Sequence, residues 1–475
     1  MVAALLLLAS SAPALAGQAA PLTADDSALV GQVLRAEDRR DSLDPALQTA
    51  RSHADARIRT LAERAYARIT DSLSSGRAQF SGLAAPPSWP EPAWHARYRA
   101  LASQRQDCAA LGSGLVDSDW PVRLRAADLV DSACAGSAAI VALLTSWADQ
   151  VSRDLSRREA GGASWQPAAH ALLALSRIRP PLAGERIAQF AGSGNPHLRL
   201  YAARAAAQLG DAMTLFQLGH DADPNVREAV ITALSHLTGH ADDALYGAAL
   251  NAREPQVVRA AALALEGSPD AQVPERARRV FDRWKGHRNA SERDVRLALL
   301  HLAGRPASDD VAPSDRDELP KEAVALALGA DVRLRVVMSP ASGGGSFVVR
   351  LRGDVAPITA ARILALVDKR YYDGTTWHRV EHDFVIQGGS PRDNEYSGYP
   401  RYFRDELGTV THARGTVGMS TRGHDTGDAQ WFINLRDNPR LDRDYTVFGE
   451  VVEGMDVVDG VLEGDVIATI ERVNH

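Results

Sequence analysis

Apolar residues recur at helical spacing from about residue 19 to residue 304 and at alternating spacing beyond residue 331. The first pattern predicts amphipathic helices, because a 3.6-residue period gathers every third or fourth side chain on one face. The second predicts half-buried strands. Within the helical region a single unit keeps returning: DSDWPVRLRAADLV at 117–130, GNPHLRLYAARAAAQLG at 194–210, DADPNVREAVITALSHL at 221–237, EPQVVRAAALALEG at 254–267 and ERDVRLALLHLAG at 292–304. DARIRTLAERAYARI at 55–69 is a weaker copy. Each unit opens on a turn residue, continues with an aliphatic–Arg pair and then sets small and aliphatic residues one helical turn apart. Arg199, Arg227, Arg259 and Arg296 follow one another at steps of 28, 32 and 37 residues, a period that means stacked helical units. The Asp ahead of each helix can cap free N–H groups. The Arg is expected to contact that Asp or the next unit's turn, a structural role.

These units resemble HEAT repeats, whose inner alanines let neighbouring helices approach closely. Such a solenoid implies a surface for a protein partner. The pattern breaks at the Pro- and Trp-rich 80–101 and weakens at 161–181. RPASDDVAPSDRDELP at 305–320 reads as a linker and 321–330 as a last short helix. VRLRVVM at 332–338 and FVVRLRG at 347–353 predict a hairpin. APITAARILALVDKRYYDG at 356–374 predicts one helix, with Pro357 near its start and Ala361, Ile363, Leu364 and Val367 on its inner side. Short strands and Gly-rich loops run to the end. The expected architecture is an all-α solenoid over 21–304, a linker with a short helix over 305–330, and a mainly antiparallel β-barrel with flanking helices over 331–475.

Composition changes this picture little. A chain of 475 residues exceeds one compact core, which agrees with several domains. The net charge of −7 gives no reason to expect a nucleic acid partner. The N-terminus has an apolar run from Val2 to Ala9, then Ala14-Leu15-Ala16. That is the order of a secretory signal over residues 1–20, cut after about Ala16 or Ala20. It predicts an exported protein, periplasmic or extracellular in a bacterium, with no stable membrane anchor. Cys108 and Cys134 are the two cysteines. They either pair and pin two neighbouring helices or remain two buried thiols.

The stretch HRVEHDFVIQGG at 378–389 carries two candidate chemistries. His378-x-x-Glu381-His382 spells an inverted zincin motif. That motif needs a helix, and YDGTT before it and DFVIQGG after it oppose one. On a strand the two histidines lie ~13 Å apart, at about 3.3 Å per residue, too far to share one ion. His236 and His240 form another pair at helical spacing, but Gly239 marks a helix end and no third ligand is apparent. Neither a Gly-x-Ser-x-Gly elbow nor a phosphate-binding Gly loop occurs in the sequence.

Four segments, in one order, carry a resemblance: FVVRLRGDVAPITAARILALV, YYDGTTWHRVEHDFVIQGG, GTVGMSTRGHDTGDAQWFINL and LDRDYTVFGEVVEGMDVVD. Together, from about Val332 onward, they resemble the cyclophilins, peptidyl-prolyl cis–trans isomerases that use no cofactor. The resemblance implies that Arg379 is the catalytic donor to the prolyl nitrogen. It makes Phe384, Val385, Phe432 and Leu441 the apolar pocket for the proline ring, with Val385 where Met is usual. Gln387 and Gln430 become the groups that orient Arg379 and the substrate carbonyl. Tyr445 stands where many relatives have His. Thr421 replaces an Asn and Ser420 an Ala, changes expected to alter preference more than chemistry. Arg440 occupies a position that is often Trp and helps hold cyclosporin, so weak drug binding is expected. The implied substrates are proline-containing polypeptides, and the implied role is assisting the folding of exported proteins, with a protein partner on the repeats. A non-catalytic scaffold that binds proline segments is the alternative.

Overall fold

The computed structural model describes residues 22–70, 85–152, 162–286, 289–310 and 318–473; the apolar N-terminal run lies outside them. Among the described residues, sixteen α-helices precede the linker: α1 (Ala24–Arg39), α2 (Pro45–Arg51), α3 (Ala56–Ile69), α4 (Ala93–Ser103), α5 (Cys108–Leu115), α6 (Trp120–Leu129), α7 (Ala138–Ala148), α8 (Gln166–Ile178), α9 (Pro180–Ala191), α10 (Pro196–Leu209), α11 (Ala212–Leu218), α12 (Pro224–Leu237), α13 (Asp243–Ala249), α14 (Pro255–Ala264), α15 (Val273–Lys285) and α16 (Arg293–Leu302). Their starts follow the repeated turn. Asn195 caps α10 and Asp223 caps α12 through side-chain oxygens, and Pro196, Pro224 and Pro255 sit where a helix spends no N–H. Helices α6, α8, α10, α12, α14 and α16 pack one on the next as an inner row, with α7, α9, α11, α13 and α15 outside. Buried alanines such as Ala169, Ala202, Ala206 and Ala261 permit that spacing.

The repeated arginines stitch each unit to the next. Arg199 donates to Asp221 at 2.7 Å, Arg227 to Glu254 at 2.7 Å and Arg296 to Asp310 at 2.6 Å. Arg259 departs from the series and lies 4.3 Å over the ring of Tyr396, far along the chain. Cys108 and Cys134 form a disulfide with Cα atoms 5.4 Å apart, resolving the two alternatives in favour of pairing.

After α17 (Ala323–Ala327) comes a single antiparallel sheet of β1 (Arg333–Met338), β2 (Ser346–Leu351), β3 (Arg379–Val380), β4 (Val385–Gly388), β5 (Thr416–Met419), β6 (Trp431–Asn434), β7 (Val447–Glu453) and β8 (Ile467–Arg472). Its order is β3-β4-β6-β5-β7-β2-β1-β8. A bridge between Thr376, before β3, and Val466, before β8, draws the two edges together into a barrel. Helix α18 (Pro357–Asp368) buries Ala361, Ile363, Leu364 and Val367 against it, and α19 (Met455–Asp459) packs near β2. Among the described residues no helix is long and apolar enough to cross a membrane.

The core does not divide where the repeat pattern begins. Helices α1–α3 share one apolar cluster with the barrel, in which Val30, Leu34, Ile58 and Leu61 join Phe347, Leu364, Trp377 and Ile433. The weak repeat copy at 55–69 is therefore helical but packs on the barrel, while the helices from α4 to α16 form a separate cluster. An ionic network seals the joint. Buried Glu37 accepts from Arg68 and Arg404 at 3.1 Å each, and Arg404 reaches Asp38 at 2.7 Å. Arg68 also donates to the Leu407 carbonyl at 2.7 Å. Glu406 accepts from the first-turn N–H groups of Ile358 and Thr359 and so caps α18.

The helices from α4 onward contact the barrel at several points along the row. Trp89, before α4, donates to the Val451 carbonyl at 2.9 Å, and Arg99 of α4 pairs with Asp383 at 3.3 Å. Gln166 and Tyr201 reach Glu463 at 3.0 and 2.8 Å, Asn225 reaches the Arg392 carbonyl at 3.0 Å, and Asp294 pairs with Arg422 at 2.6 Å. The repeats clasp the chain's own barrel.

Burial would raise the Glu37 carboxyl, but Arg404, Arg68 and Arg64 outweigh it and hold it well below its ordinary 4.5. A depressed folded-state value contributes stability above the unfolded value and loses it as pH falls below 4.5. Glu37→Gln should therefore destabilise by about 3 kcal/mol at neutral pH, because it leaves two buried guanidiniums short of a partner. The gap to the wild type should narrow on acidification below 4.5. Denaturant unfolding at several pH values checks this, and a gap that is constant with pH would rule out the carboxylate as its source.

Candidate functional site

Antiparallel pairing brings distant residues into one row. Arg379 of β3 lies opposite Gln387 of β4, Gln387 opposite Phe432 of β6, and Phe432 opposite Gly418 of β5. Residues paired across adjacent strands present their side chains on the same face, so a cation, an amide and an apolar ring stand side by side. Gly418 completes the row by having no side chain: a Cβ there would meet the Phe432 ring at 2.3 Å. Val385, two residues before Gln387, shares its face. The turn before β4 adds Phe384. The short helical turn Pro439–Leu441 brings Leu441, and Tyr445 follows with its ring edge-on to Phe432 at 5.9 Å.

These residues enclose a cavity of about 140 Å³. Arg379, Phe384, Val385, Gln387, Ser420, Thr421, Phe432, Leu441 and Tyr445 all line it. Gln430 is the exception among the sequence candidates, since it is buried behind Gln387 and does not reach the cavity. Its place is in a relay: its Nε2 donates to the Ser397 carbonyl at 2.9 Å, and its Oε1 accepts from Gln387 Nε2 at 3.1 Å. The Gln387 Oε1 then accepts from Arg379 Nη1 at 3.4 Å. The guanidinium is steadied on its other side by Glu381, at 2.9 Å from Nε, and lies 3.7 Å from Glu395.

Glu381, Glu395 and Arg422 are the neighbours that sequence reasoning missed. Glu381 is two residues from Arg379 on an extended segment, and that spacing was a usable signal. Glu395 and Arg422 arrive from loops and left none. Arg440 lies over the Phe384 ring at 4.1 Å, so the apolar wall is covered by a cation on one side.

The segment His378–His382 is strand and turn, not helix. Burial pushes the His378 imidazole down to about 4, so it is neutral at neutral pH. His382 lies in the turn but is a packing residue, buried against the rings of Trp94 and Tyr98 of α4 at 5.5 and 5.9 Å between centroids. The arrangement sets a guanidinium beside a small cavity whose one wall is apolar, built of Phe384, Val385, Phe432, Leu441 and Tyr445. It suits a compact apolar ring that carries a lone pair at its rim.

The family model for cyclophilin type peptidyl-prolyl cis-trans isomerases matches residues 335–473, and a HEAT-repeat model matches residues 184–266. The peptidyl-prolyl cis-trans isomerase-like 1 of Neurospora crassa is 38% identical over 119 residues, which are 24% of this chain and 73% of that protein. A peptidyl-prolyl cis-trans isomerase of Helicobacter pylori is 33% identical over 130 residues, 26% of this chain and 80% of that one. A crystal structure of a Cryptosporidium parvum cyclophilin type isomerase aligns at 24% identity with a TM-score of 0.29, covering 30% of this chain and 99% of that one. Relatives at 38 and 39% identity come from Neurospora crassa, Rhizopus delemar and Schizosaccharomyces pombe, which are eukaryotes. They overturn the expected location in a bacterial periplasm or outside a bacterial cell, which rested on residues 1–20 alone.

Gly418→Ala should push the Phe432 ring out of its seat and close the cavity. The expected result is roughly a tenfold or greater fall in proline-peptide affinity, or about 1.4 kcal/mol, with the barrel still folded by circular dichroism. Unchanged affinity would show that Phe432 is not the pocket wall.

Proposed function

The chain belongs to the cyclophilin-type peptidyl-prolyl cis–trans isomerases, and we propose that Arg379 is its donor to the prolyl nitrogen. Phe384, Val385, Phe432, Leu441 and Tyr445 hold the proline ring, Ser420 and Thr421 border the peptide, and Gln387 orients both the guanidinium and the substrate carbonyl. Gln430 acts through Gln387 as a positioning residue.

Rotation about an X–Pro bond breaks amide resonance, a barrier of about 20 kcal/mol, so the uncatalysed step takes tens of seconds or longer. No covalent intermediate is needed. At the transition state the bond is twisted, the nitrogen is pyramidal and its lone pair is free. A donor aimed at that lone pair binds the twisted state better than either planar state, which is what lowers a barrier. The ring is held against the apolar wall of the cavity while the acyl side turns. A preorganised guanidinium costs little reorganisation as the lone pair develops. The observation that carries this reading is the single row of Arg379, Gln387 and Phe432 across β3, β4 and β6, with the cavity directly over it.

Arg379→Ala should lower kcat/KM for a proline tetrapeptide about 100-fold, near 2.7 kcal/mol at 1.36 per tenfold, with little change in melting temperature. Arg379→Lys should recover only a fraction of the loss, because an ammonium lacks the planar fork that Glu381 and Gln387 hold. Full activity in Arg379→Ala would refute the assignment. A second measurement addresses the cyclosporin site. Arg440 places a hydrated cation on the Phe384 wall, so the drug should bind weakly and Arg440→Trp should tighten it at least about tenfold. A submicromolar wild-type affinity by calorimetry would contradict this.

A further inference from the structure

A second cavity, about 820 Å³, lies beside the first. One side is barrel: His378, Arg379 and the loop 393–396. The other is the inner row of the repeats, with Leu200 and Arg204 of α10 and Glu228 and Ala233 of α12. Arg379 and Glu395 line both cavities, so the two meet at the guanidinium. The gap is held by specific bonds. Asn225 donates to the Arg392 carbonyl at 3.0 Å and accepts from Asn394 at 3.2 Å, while Tyr201 donates to Glu463 at 2.8 Å. Its volume falls within the range of sites that enclose a ligand of several groups.

The lining is acidic on balance, with Asp223, Glu228, Asp393, Glu395 and Glu463 against Arg204 and Arg379. Most of those carboxylates are engaged. Asp223 caps α12 at 2.8 Å, Asp393 accepts from Thr376 at 2.7 Å, Glu463 accepts from Tyr201, and Glu395 lies 3.7 Å from Arg379. The Glu228 side chain forms no hydrogen bond or ion pair with any described residue. Burial pushes its carboxyl up to about 7, with Arg259 opposing and Glu395 adding to the rise. A half-buried carboxyl with no direct ion pair gains from a ligand that brings a cation into contact.

We propose that α10 and α12 form the second wall of the substrate cleft. The large cavity takes the polypeptide segment flanking the isomerised proline, and Glu228 favours a Lys or Arg in that segment. This rests on the isomerase reading of Arg379. A chain whose proline ring fills the small cavity passes Arg379 and has its next residues between barrel and repeats. The repeats thus select which prolines are turned over.

The test uses the full chain and fluorescent peptides with one central proline, carrying Lys, Ala or Glu in turn at each flanking position. Anisotropy gives Kd for the wild type, Glu228→Gln and Ala233→Trp. In the wild type, Lys at one or more positions should bind about tenfold tighter than Glu. Glu228→Gln should bring that ratio below about threefold, and Ala233→Trp, by filling the cavity, should weaken long peptides more than truncated ones. Lys and Glu peptides of equal Kd at every position, or a ratio untouched by Glu228→Gln, would overturn the proposal; so would long peptides indifferent to Ala233→Trp, since another occupant then fills the cavity. Turnover measured in parallel separates the two readings. A Lys preference in Kd without any turnover refutes the role of Arg379 alone, whereas turnover without preference refutes the cavity alone.

Discussion

Register across four short strands governs the site. Arg379, Gln387, Phe432 and Gly418 are contributed by β3, β4, β6 and β5, and none of these strands could place them alone. A slip of one residue in any pairing would send that strand's side chain to the opposite face. The barrel protects the register from both sides. Trp377 and Trp431 pack edge to face at 5.0 Å beneath the row, and the 376–466 bridge ties the exposed edge of β3 to the far end of the sheet. The guanidinium is then aimed by polar contacts that run back through Gln387 and Gln430 to the backbone of the loop at 395–397.

The repeats depend on the same barrel. Their inner row is an apolar stack stitched by Arg199, Arg227 and Arg296, and it closes around the loops that border Arg379. The first three helices belong to the barrel's core outright, fixed by the Glu37–Arg68–Arg404 cluster. Burying those charges is costly unless each is paired, and here each carboxylate and guanidinium has opposite-charge neighbours. The joint therefore specifies one docking geometry in a way that apolar contact alone would not.

Much of this was legible in the chain. The period of the aliphatic–Arg pairs gave the stacked helices, and the capping Asp and Pro residues marked their starts. Alternation gave the β1–β2 hairpin, and the inner face of α18 matched the expected four residues. The segments around Arg379, Gly418 and Leu441 named nearly every residue that lines the small cavity. The zincin spelling was resolved by its flanks, since a β-branched pair and two glycines do not continue a helix. What misled was short-range likeness. The copy at 55–69 has the helical period of a repeat, yet period says nothing about which surface an apolar face will find. The polar neighbours of His382 in sequence carry no sign that its neighbours in space are Trp94 and Tyr98. The signal-like run at the start suggested a compartment that the matching eukaryotic relatives do not share.

The sequence by itself determined the two element grammars, the turn chemistry and most of the residues that line the small cavity. Those properties depend on neighbours within one or two turns, or on motifs whose residues are adjacent in the chain. Only the tertiary structure decided that the repeats curl onto their own barrel, that α1–α3 join its core, and that Glu228 and Arg379 line one cavity. Each of these depends on contacts between residues more than a hundred positions apart, such as Tyr201 with Glu463 and Asn225 with Arg392. The energy of such contacts is set by shape and charge at a meeting of two finished surfaces. No local pattern of hydrophobic and polar residues encodes that meeting.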